Sequence, residues 1–309
     1  MPRTRTLQAM NPRHRIPPPP HPDAGTLHPR PPWRVGPARW DFRRPLVMGV
    51  LNATPDSFSD GGEYLEPERA LARARQMQGE GADLLDLGGA SSHPRARPVP
   101  PQEELERIAP VVERLLAEVP LPLSIDTQRP EVARACLELG AHLVNDVGGL
   151  VQPEMAGLAA REGVPLVITY NNLAVPKEAS GLSFLSDMLA FFDERLDMAE
   201  AAGATQLILD PGYGFGKTLE ENLMVLRALP LLQRFNRPLL VCTSRKGSLG
   251  RITGEPVPRQ RLGASLASSL YAVVQGAHLV RVHDVKEFHQ ALLTWRAIDR
   301  FEGEAPGPP

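Results

Sequence analysis

From Pro45 onward, two different dipeptides take turns opening short apolar runs. One series reads Pro45-Leu46-Val47-Met48, Pro122-Leu123-Ser124-Ile125, Pro165-Leu166-Val167-Ile168 and Pro238-Leu239-Leu240-Val241. The other reads Gly81-Ala82-Asp83-Leu84-Leu85, Gly140-Ala141-His142-Leu143-Val144, Gly203-Ala204-Thr205-Gln206-Leu207 and Gly276-Ala277-His278-Leu279-Val280, and the two series strictly alternate. Runs this short and this apolar suit strands buried on both faces. Glycine suits the position that ends a helix, and proline is tolerated at the first residue of a strand.

Helical spacing fills the intervals, over 71–77, 105–116, 131–139, 184–202 and 219–229. Val285, Phe288, Leu292 and Trp295 continue it at three- and four-residue steps. Eight strands alternating with helices predict a closed (β/α)8 TIM barrel rather than an open doubly wound sheet. The strands are expected near 46–51, 84–87, 123–126, 143–145, 166–169, 207–210, 239–242 and 279–282. The even spread of units is what favours closure.

This assigns 41–303 to a single barrel domain and leaves the ends outside it. Residues 1–40 hold seven Arg, no Lys and one acid, Asp23, beside Pro17-Pro18-Pro19-Pro20 and Pro31-Pro32. Such a stretch has little to bury and reads as a flexible extension, with Trp33 and Trp40 pinning its end to the body. Residues 304–309 read as a disordered tail. The remaining chain has 27 basic and 35 acidic residues, an ordinary acidic body with no footprint for nucleic acid or a membrane surface. No apolar run reaches about 18 residues and no secretory h-region opens the chain. Cys136 and Cys242 lie in apolar runs without metal-ligand spacing, as expected of core residues in a reducing cytoplasm.

In a barrel of this kind the chemistry collects where strands end. Those ends are Asn52, Asp86, Asp126, Asn145-Asp146, Asp210, Ser244-Arg245-Lys246 and Arg281-Val282-His283. One such residue is ordinarily a helix cap. So many on one rim describe a polar pocket. Its carboxylates and amides can accept hydrogen bonds from a flat nitrogenous ring, while Lys246, Arg281 and His283 suit an anion such as phosphate. Leu207-Ile208-Leu209-Asp210 runs directly into Pro211-Gly212-Tyr213-Gly214-Phe215-Gly216-Lys217, a glycine-rich loop able to pass close to a ligand. His142 and His278 fall at strand starts and read as structural.

The residues 52–62, Asn-Ala-Thr-Pro-Asp-Ser-Phe-Ser-Asp-Gly-Gly, resemble the signature loop after the first strand of dihydropteroate synthases. Asp86-Leu87-Gly88-Gly89, Ser124-Ile125-Asp126-Thr127, Asn145-Asp146-Val147, Asp210 to Lys217, Ser244-Arg245-Lys246 and Arg281-Val282-His283 are similar to that family's later motifs, in order, over about 45–302. The resemblance implies a Mg²⁺-dependent transferase of folate biosynthesis, commonly homodimeric. The amine of p-aminobenzoate displaces pyrophosphate from 6-hydroxymethyl-7,8-dihydropterin pyrophosphate to give 7,8-dihydropteroate. It further implies that Asp210, Asn145 and Lys246 hold the pterin, that Asp126 stabilises a pterin cation, and that Arg281 and His283 bind pyrophosphate oxygens. Asn52 would help hold Mg²⁺, and Phe215 would pack on the aminobenzoate ring.

The departures from that family cluster on one side. Its usual Glu-Ser-Thr-Arg-Pro-Gly is here Ala90-Ser91-Ser92-His93-Pro94-Arg95, in which Ser92 keeps a hydroxyl but His93 replaces a permanent cation. Its Met-His-Met is Thr169-Tyr170-Asn171, and Gly247 stands where a serine would meet the aminobenzoate carboxylate, with Ser248 next to it as a substitute. The pterin and anion side is intact and the acceptor side altered. The alternatives are a paralogue that binds pterin pyrophosphate without turnover and a pterin-dependent methyltransferase. The latter would leave the 52–62 loop and the Arg281–His283 pair unemployed.

Overall fold

In the computed structural model, residues 32–52, 67–90, 99–173 and 184–299 are described. An antiparallel hairpin, β1 (Trp33–Val35) and β2 (Ala38–Trp40), comes first. Then follow the barrel strands β3 (Leu46–Asn52), β4 (Leu84–Gly88), β5 (Leu123–Asp126), β6 (Leu143–Asp146), β7 (Leu166–Thr169), β8 (Leu207–Asp210), β9 (Leu240–Val241) and β10 (Leu279–Val282). All barrel pairings are parallel, in the order β8-β7-β6-β5-β4-β3-β10-β9. A bridge between Leu209 and Leu239, with the Leu209 N–H donating to the Pro238 carbonyl at 2.9 Å, joins the two ends of that order.

The two alternating dipeptides have separate physical jobs. Gly81, Gly140, Gly203 and Gly276 all take positive φ, from +90° to +110°, the backbone turn that lets a helix stop and the chain enter the next strand. Pro122, Pro165 and Pro238 give up an N–H, but their carbonyls accept from Leu85, Val144 and Leu209 at 2.9–3.0 Å. The neighbouring strand is thereby engaged one residue before the run begins.

Alternation then separates two cores. Leu46, Met48, Leu84, Leu143, Val167, Ile208, Leu240 and Leu279 pack together inside the barrel. Val47, Leu85, Ile125, Val144, Ile168, Leu209, Val241 and Val280 face outward in the cluster shared with the helices. Those helices are α1 (Pro67–Glu80), α2 (Pro101–Glu118), α3 (Pro130–Glu138), α4 (Glu154–Glu162), α5 (Phe184–Ala201), α6 (Leu219–Arg227), α7 (Leu229–Leu232), α8 (Gly247–Thr253), α9 (Leu262–Val274) and α10 (Val285–Asp299).

The helical pattern expected to run through 229 is split, because Pro230, in the first turn of α7, has no N–H to carry α6 onward. Helices α4, α8 and α9 lie beyond the expected set. Their small residues (alanine, serine and glycine) give no clear periodic stripe.

The hairpin corrects the expected flexible extension over its last residues, since 33–40 are folded onto the barrel. Val35, Trp40 and Phe42 join the inner cluster beneath the first residues of the strands. Phe42 meets Trp33 at 5.2 Å, Trp40 at 6.2 Å and His278 at 5.9 Å between ring centroids. His142 and His278 each accept a backbone N–H through Nδ1, from Leu123 and Leu239 respectively, both at 3.1 Å, as structural histidines do. Residues 1–31 and the tail 304–309 lie outside the described residues. Among the described residues no helix is long and apolar enough to cross a membrane.

Candidate active site

The parity that aims leucines into the barrel floor carries one step further up each strand. Two residues beyond Leu84, Leu143, Val167, Ile208, Leu240 and Leu279 come Asp86, Asn145, Thr169, Asp210, Cys242 and Arg281. On β5, Leu123 and Ile125 face the helices, so Ser124 and Asp126 face inward. The C-terminal mouth therefore has a polar layer seated directly on the apolar one.

Asp86 is the hub of that layer. It is fully buried, and Ser124 Oγ donates to its Oδ1 at 2.5 Å. Asn145 Nδ2 donates to Oδ2 at 3.1 Å and Arg281 Nε to the same oxygen at 2.5 Å. Arg281 spans two acids, because its Nη2 donates to Asp126 Oδ2 at 2.6 Å. Among the described residues its Nη1 has only a 3.9 Å contact to Cys242 Sγ. The guanidinium expected to receive an anion is thus engaged by carboxylates, which hold its pKa above the usual arginine value against the effect of burial. Burial pushes the Asp126 carboxyl up to about 7, while Arg281 pulls it down.

Asp210 is buried and accepts the Gly212 N–H at 2.7 Å. Burial raises its pKa, opposed by that hydrogen bond and then by Lys246. The Asn145 Oδ1 and Thr169 Oγ1 atoms are buried and, among the described residues, have no partner. Unsatisfied acceptors cost free energy in a protein interior, so two of them in the same mouth mark where a ligand donor would bring a gain. Asp146 behaves differently from Asn145. It caps the next turn by accepting the Gly148 and Leu150 N–H groups, both at 2.8 Å, and burial brings its pKa to about 6.

After β8 the chain turns on Gly212, Gly214 and Gly216, all at positive φ. Lys217 staples this loop, its Nζ donating to the carbonyls of Tyr170 (2.7 Å), Gly212 (2.9 Å) and Phe215 (3.3 Å). Phe215 is buried, and Lys246 Nζ stands 4.4 Å from its ring centroid. The ring expected to lie against an aminobenzoate carries a cation on its face.

Beyond β9, Arg245 has φ +60° and is paired with Asp284, while its N–H donates to Ser265 Oγ at 2.9 Å. Arg245 shapes the loop, and Lys246 follows at the N-cap of α8. A Cβ on the exposed Gly247 would meet nothing within 4 Å. Ser248, expected to replace the missing serine, is buried with its Oγ donating to Tyr213 OH at 2.8 Å. His283 Nδ1 lies 3.0 Å from Ser244 Oγ. Burial, then Arg281, Arg245 and Lys246, lower the His283 pKa to about 3, so its ring is neutral at pH 7.

Asn171 pins a turn, donating to the Val147 carbonyl at 2.7 Å and accepting the Leu173 N–H at 2.9 Å. Tyr170 points outward to Phe191, with ring centroids 5.0 Å apart, so Thr169 is the inward member of that trio. Asn52 ends β3 beside Gly88. Among the described residues no group of three His, Cys, Asp or Glu is placed to hold a metal. A single amide oxygen fits a hard cation that keeps most of its other oxygens from water and phosphate, as Mg²⁺ does. Ser92, His93, Arg95 and the loop 53–62 lie outside the described residues.

Of the expected site residues, Asp126, Asn145, Asp210, Lys246, Arg281 and His283 gather at this one end. Ser124 and Thr169 join them without having been assigned a role, and Asp86, read only as one of the pocket's acceptors, is spent on Ser124, Asn145 and Arg281. The signal for Asp86 was available: an acid inside Leu84-Leu85-Asp86-Leu87 has to be buried.

Residues 48–283 match the model of the family described as pterin binding enzyme. A dihydropteroate synthase of Synechocystis sp. is 42% identical over 268 residues, covering 84% of this chain and 92% of the relative. Xanthomonas albilineans dihydropteroate synthase, solved with 4-aminobenzoic acid, superposes with a TM-score of 0.80 at 43% identity, covering 85% of this chain and 96% of that one. The Thermus thermophilus dihydropteroate synthase in complex with 6HMPPP gives a TM-score of 0.76 at 42% identity, covering 87% of this chain and 100% of that one.

Proposed function

The chain belongs to the dihydropteroate synthases, a family of pterin-binding enzymes, and from that premise we propose how its own residues divide the work. It is a transferase that joins 6-hydroxymethyl-7,8-dihydropterin pyrophosphate to p-aminobenzoate, yielding 7,8-dihydropteroate and pyrophosphate.

In our reading the pterin lies across Asp210, Asn145 and Lys246. Asn145 supports this most directly, because its Nδ2 is spent on Asp86 and leaves Oδ1 as an unsatisfied acceptor for a ring N–H. As the methylene C–O bond breaks, pyrophosphate leaves with the bonding pair and positive charge develops on the pterin. Asp126 and Asp210, held in a low-dielectric mouth, favour that charge. The aminobenzoate nitrogen then bonds to the methylene carbon and its extra proton passes to solvent. A neutral arylamine needs no strong base.

Arg281, through Nη1, and His283 receive the diphosphate oxygens. Asn52 would hold Mg²⁺, which supplies charge neutralisation on the leaving diphosphate. Ser92 and Phe215 belong to the acceptor side, and Phe215 meets the aminobenzoate ring once Lys246 turns from its face to the pterin.

The reading rests on one observation: acids, an amide and an arginine from separate strands, with a lysine from the loop after β9, converge above a single apolar floor. Purified protein given Mg²⁺, the pterin pyrophosphate and p-aminobenzoate should release pyrophosphate in an aminobenzoate-dependent way. Saturable pterin binding with no such release would instead establish the non-catalytic paralogue. We further propose a homodimer in the cytoplasm. The reduced, buried Cys136 and Cys242 support the compartment. The exposed Tyr271 and Leu293 on the adjoining helices α9 and α10 offer apolar surface for pairing.

A further inference from the structure

Ser244 follows β9, is 2% exposed, and makes two contacts to a single residue. Its Oγ accepts the backbone N–H of His283 at 3.2 Å and lies 3.0 Å from His283 Nδ1. A backbone N–H can only donate, so the first contact uses an oxygen lone pair. The hydroxyl still has one proton to place. Burial denies it water, and among the described residues it has no acceptor other than Nδ1. The proton therefore points at Nδ1, which must be unprotonated to accept it. In a neutral imidazole the remaining proton is then on Nε2.

We propose that Ser244 is a positioning residue that fixes His283 as the Nε2–H tautomer, so that a neutral ring presents a donor to an oxygen of the departing diphosphate. The opposite tautomer would present a lone pair to that oxygen and repel it. The surroundings agree, since Arg281, Arg245 and Lys246 already disfavour a second proton on the ring. The Arg73 Nη2, donating to the His283 carbonyl at 2.9 Å, fixes the backbone on which the ring is carried. The proposal rests on the assignment of His283 to the diphosphate, but its first readout does not.

That readout is the ¹⁵N spectrum of the ligand-free full chain, with His283 assigned by its loss in His283→Gln. The wild type should show a protonated Nε2 and a bare Nδ1, and Ser244→Ala should show a mixture of tautomers. Calorimetry with Mg²⁺ and inorganic pyrophosphate should then find affinity about tenfold weaker in Ser244→Ala. Binding of the bare pterin should be unchanged, and Ser244→Thr should restore the wild-type values. A wild-type ring protonated at Nδ1 overturns the proposal. So does a Ser244→Ala chain with an unchanged tautomer and unchanged pyrophosphate affinity. If Ser244→Ala fails to fold, the wild-type spectrum still decides the tautomer. Failure of the wild type to bind pterin pyrophosphate at all would sink the functional reading and leave the tautomer result standing.

Discussion

Thr169 occupies a position where a hydroxyl has a cost. It is fully buried and faces the barrel beside Asp210, and its Oγ1 has no partner among the described residues. Valine has nearly the same shape and no polar atom to satisfy. Thr169→Val should therefore raise the stability of the ligand-free protein by about 1 kcal/mol, seen as a higher midpoint in thermal unfolding. A fall in stability would mean the hydroxyl has a partner after all. Residue identities at the strand ends were legible because polar groups closing apolar runs are conspicuous. Their partners were not. Nothing in Arg281 announces that its Nε and Nη2 would be taken by Asp86 and Asp126, because those contacts join residues far apart in sequence.

At the scale of elements, the turn after β8 joins the site to the scaffold. Gly212 stands at φ +68°, and a Cβ there would lie 2.0 Å from the Tyr170 carbonyl oxygen. Its N–H also holds the Asp210 carboxylate. Gly212→Ala should cost roughly 1–3 kcal/mol from backbone strain alone, and it should weaken pterin binding because the shift that clears the Tyr170 carbonyl moves the N–H that orients Asp210. Denaturant melts and pterin calorimetry test the two effects separately, and wild-type values in both would refute this account. The glycine pattern marked the loop as tight from sequence. The Lys217 staple and the Lys246–Phe215 contact depend on how the loop folds back, and so were hidden. Ser248 shows the same limit, since one residue of helical offset turned it toward Tyr213.

For the molecule as a whole, alternating Pro-Leu and Gly-Ala phrases were enough to read a closed barrel, because each phrase solves one local problem at every repeat. The hairpin escaped notice for the opposite reason. Its neighbours are rich in Pro and Arg, so Trp33 and Trp40 read as anchors while the strands they sit on, and Val35 and Phe42 beside them, did not show. Trp40 is 2% exposed in the inner cluster, so Trp40→Ala should destabilise the fold by about 3–5 kcal/mol. Urea titration would measure this, and a loss under about 1 kcal/mol would show that the hairpin merely rests on the barrel. The same hairpin imposes a traffic rule. Trp40 and Phe42 close the N-terminal end over the packed inner cluster, which leaves the polar mouth at the strand C-termini as the face for ligands. In the proposed arrangement the pterin sits on the buried acids below the arylamine, so it would go in first and its conjugate would leave by the same rim.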